Sequence, residues 1–178
     1  MNWTGVAAAA GGVGFAGFWM GSLLKLELVP WPIALLWHAI ATLLLVVGAV
    51  GIHRSSRASP TQTLLGWLGV ALVAAGQLFS LELTMLGCLL FGAGVAMAPR
   101  LPRSAAALLS LGALGFLVTL AVNGPFWGDT NPSPTLVPGL AFGLSLLLIA
   151  FGWIVLGLSL VRGDTSSVSV LTYGRRRT

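Results

Sequence analysis

Glu27 and Glu82 each close an apolar stretch, and they are the residues of this chain best placed to do chemistry. His38 lies about two turns into the apolar stretch that follows Glu27, and Gln77, Asp129 and Lys25 fall at the same boundary. Two carboxylates and an imidazole can hold a cation, a proton or a polar ligand. Ionisable groups are costly inside a membrane, so their presence there points to function. The simpler account makes both glutamates solvated markers of topology at headgroup level. His38 is then an interhelical hydrogen-bonding group.

The rest of the chemical inventory is short. His38 and His53 on one helix would stand about 22 Å apart along its axis, so they cannot ligate one haem iron. Cys88 is the single cysteine and lies in an apolar run, which excludes an internal disulfide and leaves no zinc set. There is no phosphate-cradling glycine loop ending in Lys-Ser/Thr, no G-x-S-x-G and no H-E-x-x-H. No catalytic residue, metal or cofactor is therefore expected, and the chain reads as non-enzymatic.

The elements that must position these groups follow from composition. The chain has 178 residues, 57% hydrophobic and 7% charged, where a soluble domain carries roughly a quarter charged residues. Most of its surface must therefore meet lipid. The net charge of +5 does not indicate nucleic acid, because the eight arginines and Lys25 occupy only breaks and the tail. Basic residues placed that way report membrane orientation. Arginine in place of lysine, with much Ala and Gly, fits a high-GC bacterial genome. No cleaved leader is expected, since the first basic residue, Lys25, follows the first apolar stretch.

A helix needs roughly 20 apolar residues to cross a hydrocarbon core of about 30 Å. Residues 5–24, 31–52, 104–122 and 137–161 meet that length. The stretch 64–98 holds no proline and, as one helix, would be on the order of 52 Å long. One span there would also put Arg54 and Arg57 opposite Arg100 and Arg103. A hairpin turning in the polar cluster Gln77, Ser80, Glu82, Thr84 resolves both problems and gives spans 63–79 and 82–98. The expected fold is an all-α integral membrane protein of six transmembrane helices in three tandem hairpins. Arg54, Arg57, Arg100, Arg103 and Arg162 then fall on one side, which places both termini in the cytoplasm. Residues 162–178 form a basic cytoplasmic tail, expected to be disordered. The proline-rich loop 123–138 lies outside.

Residues 11–28 and 66–83 align without gaps, sharing Gly11/Gly66, Gly14/Gly69, Gly21/Gly76 and Glu27/Glu82. The G-x-x-G opening returns at Gly112 and Gly115. The alignment suggests parallel hairpin repeats, and chance in a Gly-, Ala- and Leu-rich chain is the alternative. Gly17 and Gly21, and Gly139 and Gly143, stand at the four-residue spacing that lets membrane helices approach closely. Ala8, Gly12 and Ala16 continue a small-residue stripe.

At GIHRSSRASPTQTLLGWLGVALVAAG, APRLPRSAAALLSLGALG and FGWIVLGLSLVRG the chain resembles small polytopic membrane proteins of high-GC bacteria. That resemblance implies a multi-pass inner-membrane location and no particular activity. In architecture it also resembles the substrate-binding subunits of energy-coupling-factor vitamin transporters, whose coupling surface the stripe Ala8, Gly12, Ala16 is similar to. The expected role is a non-enzymatic accessory or interaction subunit, with other membrane subunits or a second copy of itself as partner, besides the lipid bilayer. The alternative is a small-solute binding or transport protein, proton-coupled or of that transporter type, with its site near the outer leaflet at Glu27, Glu82, His38, Gln77 and Asp129.

Overall fold

The computed structural model describes residues 2–23, 30–55, 59–123 and 136–174, with the backbone only at 22–23, 31, 55, 77–78, 136–137 and 163–174. Among the described residues there are six helices and no strand. They are α1 (Trp3–Leu23), α2 (Trp31–Ser55), α3 (Pro60–Phe79), α4 (Leu81–Ala96), α5 (Arg103–Asn123) and α6 (Leu136–Gly174). Three are long and apolar enough to cross a membrane, over Pro32–Arg54, Arg103–Asn123 and Pro138–Arg162. The apolar parts of α3 and α4, Pro60–Gly76 and Leu81–Ala96, are shorter. At 21 residues α1 has the length, but its six glycines dilute its apolar character.

Local chemistry explains the boundaries. Asn2 Oδ1 accepts from the Gly5 amide at 3.3 Å and so caps the start of α1. Ser59 caps α3 by accepting from the Gln62 amide at 3.2 Å, and Pro60 takes the first helical position, where its missing N–H costs nothing. Pro99 and Pro102 separate α4 from α5, and the Pro102 carbonyl accepts from the Ala105 amide at 3.0 Å. The sequence placed a turn somewhere within Gln77–Thr84. A single residue makes it. Ser80 is extended (φ −167°, ψ 149°); its N–H donates to the Gly76 carbonyl, and its Oγ accepts from the Leu83 amide. One side chain thus ends α3 and starts α4.

The last helix differs from its expected span. It runs on past residue 161 to Gly174, because nothing between Gly139 and Gly174 is a proline. A polar composition alone does not stop a helix that is already nucleated.

Each helix packs on its neighbours in the chain, and α1 packs on α6, so the six close into a ring in sequence order. The contact between α2 and α3 is the lightest in the ring. Residue pairing shows that neighbours run antiparallel. A Cβ on Gly14 would meet Ala41, and one on Gly11 would meet Leu45; Gly69 faces Phe91 and Gly87 faces Val73; Gly112 faces Ser145 and Gly152 faces Leu109. The first two of these G-x-x-G openings therefore begin hairpins built on glycine, as does the third.

Large side chains fill the middle of the ring. Trp153 of α6 is fully buried and stacks on Phe91 of α4 at 5.0 Å between ring centroids and 18° between planes. Its Cβ would touch a methyl on Gly12 of α1. Phe15, Met85, Leu109 and Phe116 complete this core. The outer faces are apolar as well: Leu36, Leu43, Leu111, Leu144 and Phe151 are all more than half exposed.

Candidate functional site

The expected site draws on residues that the fold treats differently. Glu27 and Asp129, with Lys25, lie outside the described residues, and Gln77 is described only as part of the α3 backbone. Glu82 is half-buried in the first turn of α4. A carboxylate there is favoured by the positive end of the helix dipole. His38 is half-buried on α2, and its surroundings are aromatic. Its ring stacks on Phe18 at 4.4 Å and 29°, and the Trp19 indole stands edge-on at 5.9 Å and 86°. Phe142 of α6 reaches Trp19 and Phe116, extending the same cluster. Glu82 and His38 sit on helices with different neighbours: α4 packs on α3 and α5, whereas α2 packs on α1 and lightly on α3.

The small residues have specific partners. A Cβ on Gly17 would lie 2.8 Å from the Trp37 ring, while one on Gly21 would meet no described atom within 4 Å. The Trp37 indole lies across α1, donating from Nε1 to the Gly14 carbonyl at 3.0 Å. Gly143 is buried and Gly139 half-buried on α6. Ala8 is fully buried and faces Gly48 of α2; Gly12 faces Ala150 of α6. The stripe Ala8, Gly12, Ala16 is therefore taken up inside the ring, so Ala8 and Gly12 present no surface to a coupling partner.

Because the helices alternate in direction, Arg54, Arg100, Arg103 and Arg162 share one end of the bundle, and all four are exposed. Arg57 belongs to the same segment of sequence and lies outside the described residues. Glu82 is at the opposite end.

The basic end holds the most built polar constellation, and sequence reasoning passed over it. His53 of α2 is 9% exposed and Gln62 of α3 is 4% exposed. The His53 ring lies flat against Gly66, where a Cβ would collide with Nδ1. Trp67 meets the imidazole edge-on at 4.9 Å. Between them is a small cavity of about 10 Å³, walled by Ile52, Gly66, Phe91 and Leu101, with His53 and Gln62 as its polar edges. That volume admits roughly one water-sized group. Gln62 is bound through its backbone amide to the Ser59 hydroxyl. The signal that was available is the glutamine three residues after the Ser59 cap, followed four residues later by a glycine.

Cys88 is a buried thiol within the α4 core. Among the described residues no three His, Cys, Asp or Glu side chains are grouped to hold a metal ion. No protein-family description, curated protein or solved structure matches this chain.

Proposed function

We propose that this chain is a six-span bacterial inner-membrane protein, with both termini in the cytoplasm, that acts as a non-enzymatic accessory or interaction subunit. The observation that carries this reading is a filled interior inside an apolar exterior. Trp153, Phe91 and Phe116 occupy the middle of the ring, where a solute path would otherwise run. Outside, Leu36, Leu43, Leu111 and Phe151 are exposed on three different helices, as lipid or a neighbouring subunit requires. The described arginines share one end, which supports the orientation by the positive-inside rule. The short helices α3 and α4 are accommodated by local thinning of the bilayer or by interfacial side chains.

Two experiments test this reading. Reporter fusions after Arg57, Arg103 and Arg177 should all report the cytoplasm; a periplasmic signal at Arg103 overturns the six-span arrangement. A photo-crosslinking residue at Leu43, Leu111 or Phe151 in native membranes should give a discrete adduct larger than one chain. Monomer alone at all three positions overturns the subunit reading.

A second reading, a small-solute protein with its site near the outer leaflet, is favoured by one observation. His38 is an ionisable group held among Phe18, Trp19 and Phe15. A protonated imidazole gains from an aromatic face. His38→Phe keeps the packing and removes the proton. Proton-driven uptake by the wild type that survives in His38→Phe would sink this reading.

A further inference from the structure

We propose that the outward face of α2 pairs with the α2 of a second copy of this chain, as a parallel two-stranded coiled coil within the membrane. The proposal deepens the subunit reading, on which it rests, by naming the partner and the surface.

The two faces of α2 differ. Ala41, Leu45 and Gly48 are buried and meet α1, opposite Gly14, Gly11 and Ala8. On the other side Ile33, Leu36, Ile40, Leu43 and Val47 are 45–63% exposed. Steps of 3, 4, 3 and 4 residues separate these five. That is a seven-residue repeat, two full heptads long. An α-helix turns every 3.6 residues, so such a stripe stays on one line only where the helix winds around a partner.

The residue types specify the partner. Ile33, Ile40 and Val47, all β-branched, hold the a positions, and Leu36 and Leu43 hold the d positions. This arrangement favours two parallel strands. β-branched side chains in a helix keep mostly one rotamer, so packing them costs little entropy. A second copy inserts the same way round, so across a two-fold axis normal to the membrane its α2 runs parallel to the first. The pairing that the side chains favour is therefore the one that topology permits.

The surroundings leave the stripe open and wall it on both sides. Trp37 flanks it and is fixed by its bond to the Gly14 carbonyl at 3.0 Å. Ala39, on the other flank, is small and exposed. A partner's side chain can enter the hole between such neighbours. The next a position is Arg54, exposed at the basic end; two facing guanidinium groups repel, so the pairing ends above it. From Ile33 to Val47 the helix rises about 21 Å, most of a hydrocarbon core of about 30 Å.

The other long helices do not repeat the pattern. α5 exposes Leu111, Leu114, Val118 and Val122, at steps of 3, 4 and 4, which drift off the heptad. α6 exposes Leu140, Leu144, Phe151 and Leu158, none of them β-branched. α2 is also the least buried of the three spanning helices. Helix association in lipid rests on interlocking side chains and on lipid released from the contact, and α2 offers the regular surface for both.

The test uses the full chain in its own membranes, with the buried Cys88 kept. Single cysteines replace Leu36, Ile40 or Leu43 on the stripe, and Leu35, Leu111 or Leu144 as exposed positions off it. Identical residues face each other across a two-fold axis, so copper-phenanthroline oxidation should give a chain dimer at the first three. The other three should give at least tenfold less. Ile40→Ala with Leu43→Ala should weaken association at least tenfold, read by energy transfer between labelled chains in phosphatidylcholine vesicles. Leu111→Ala with Leu114→Ala should leave association unchanged. Both double variants should melt near wild type in detergent, since the side chains removed are exposed. Equal dimer at all six cysteines overturns the proposal, and so does unchanged association of the α2 double variant. Monomer at the α2 cysteines, with a different protein captured at Leu111 or Phe151, removes the α2 dimer and leaves the subunit reading standing. Release of the chain by carbonate extraction removes both.

Discussion

Two seams of the same ring are built on opposite plans. Where α1 meets α6 the backbones touch: a Cβ on Gly5 would lie 2.7 Å from the Gly157 carbonyl oxygen, and one on Gly12 would lie 2.9 Å from the Ala150 carbonyl oxygen. Where α2 meets α3 the contact is light and runs through side chains, with the His53 ring laid on Gly66 and Gln62 behind it. In the proposed membrane setting, apolar burial would not drive helices together, so close packing and polar contacts must. The first seam uses close packing throughout. The second replaces part of it with a polar pair and a small cavity. The difference separates a seam closed by backbone contact from one closed through side chains.

The largest expected contrast sets two tryptophans against each other. Trp153→Ala empties the centre of the ring, and a buried Trp→Ala change costs about 3–5 kcal/mol. In detergent it should lower the melting point sharply or prevent assembly. Trp67→Ala removes a side chain that is 42% exposed, so a large part of its surface already meets the surrounding medium. Its effect should be clearly smaller by the same melting measurement. Equal losses would mean that the α2–α3 seam bears as much of the fold as the core does.

The comparison also shows what could be read from residues alone. Six helices and their breaks were legible because proline and arginine punctuate the chain and 64–98 is too long for one span. The hairpin at Ser80 was legible as a polar cluster, although only geometry shows that one side chain serves both helices. The closure of α1 on α6 was not legible, because Gly5 and Gly157 are far apart in sequence and no local pattern pairs them. Attention went to Glu27 and Glu82, since charge is conspicuous in an apolar chain. His53 was weighed only as a haem ligand and then set beside Arg54 in a break, and Gln62 was not singled out at all. Burial made them informative, and burial depends on which helices end up adjacent.

The next contrast is between two glycines. Gly157→Ala would put a methyl against the Gly5 carbonyl oxygen and 2.5 Å from the Ala9 nitrogen. Both are backbone atoms of a helix that cannot yield locally, so the helices must separate, at about 1–3 kcal/mol. Gly66→Ala would meet the His53 ring. A side chain can rotate away, and alanine favours a helix over glycine by about 1 kcal/mol, which offsets the collision. Gly157→Ala should therefore melt clearly below wild type and Gly66→Ala close to it. The reverse order would show that His53 is held as rigidly as backbone.

The smallest contrast concerns the indole N–H alone. Trp37 lies over Gly17 and donates to the Gly14 carbonyl at 3.0 Å, so it ties α2 to α1 with a defined bond. Trp67 reaches His53 through its ring edge. Tryptophan to phenylalanine keeps an aromatic ring and deletes the donor. At Trp37 the change removes a hydrogen bond worth about 0.5–1.5 kcal/mol net. The Gly14 carbonyl keeps its place in the helix ladder, so the loss should stay in that range and not grow to the cost of an orphaned acceptor. At Trp67 the ring contact survives in phenylalanine, so the melting point should move less than at Trp37. Melting of the two single variants and the double variant in one detergent measures both terms. Additive losses are expected, because Trp37 and the His53 ring that Trp67 meets lie towards opposite ends of α2. A loss at Trp67 matching that at Trp37 would show that the lighter seam also depends on an indole donor.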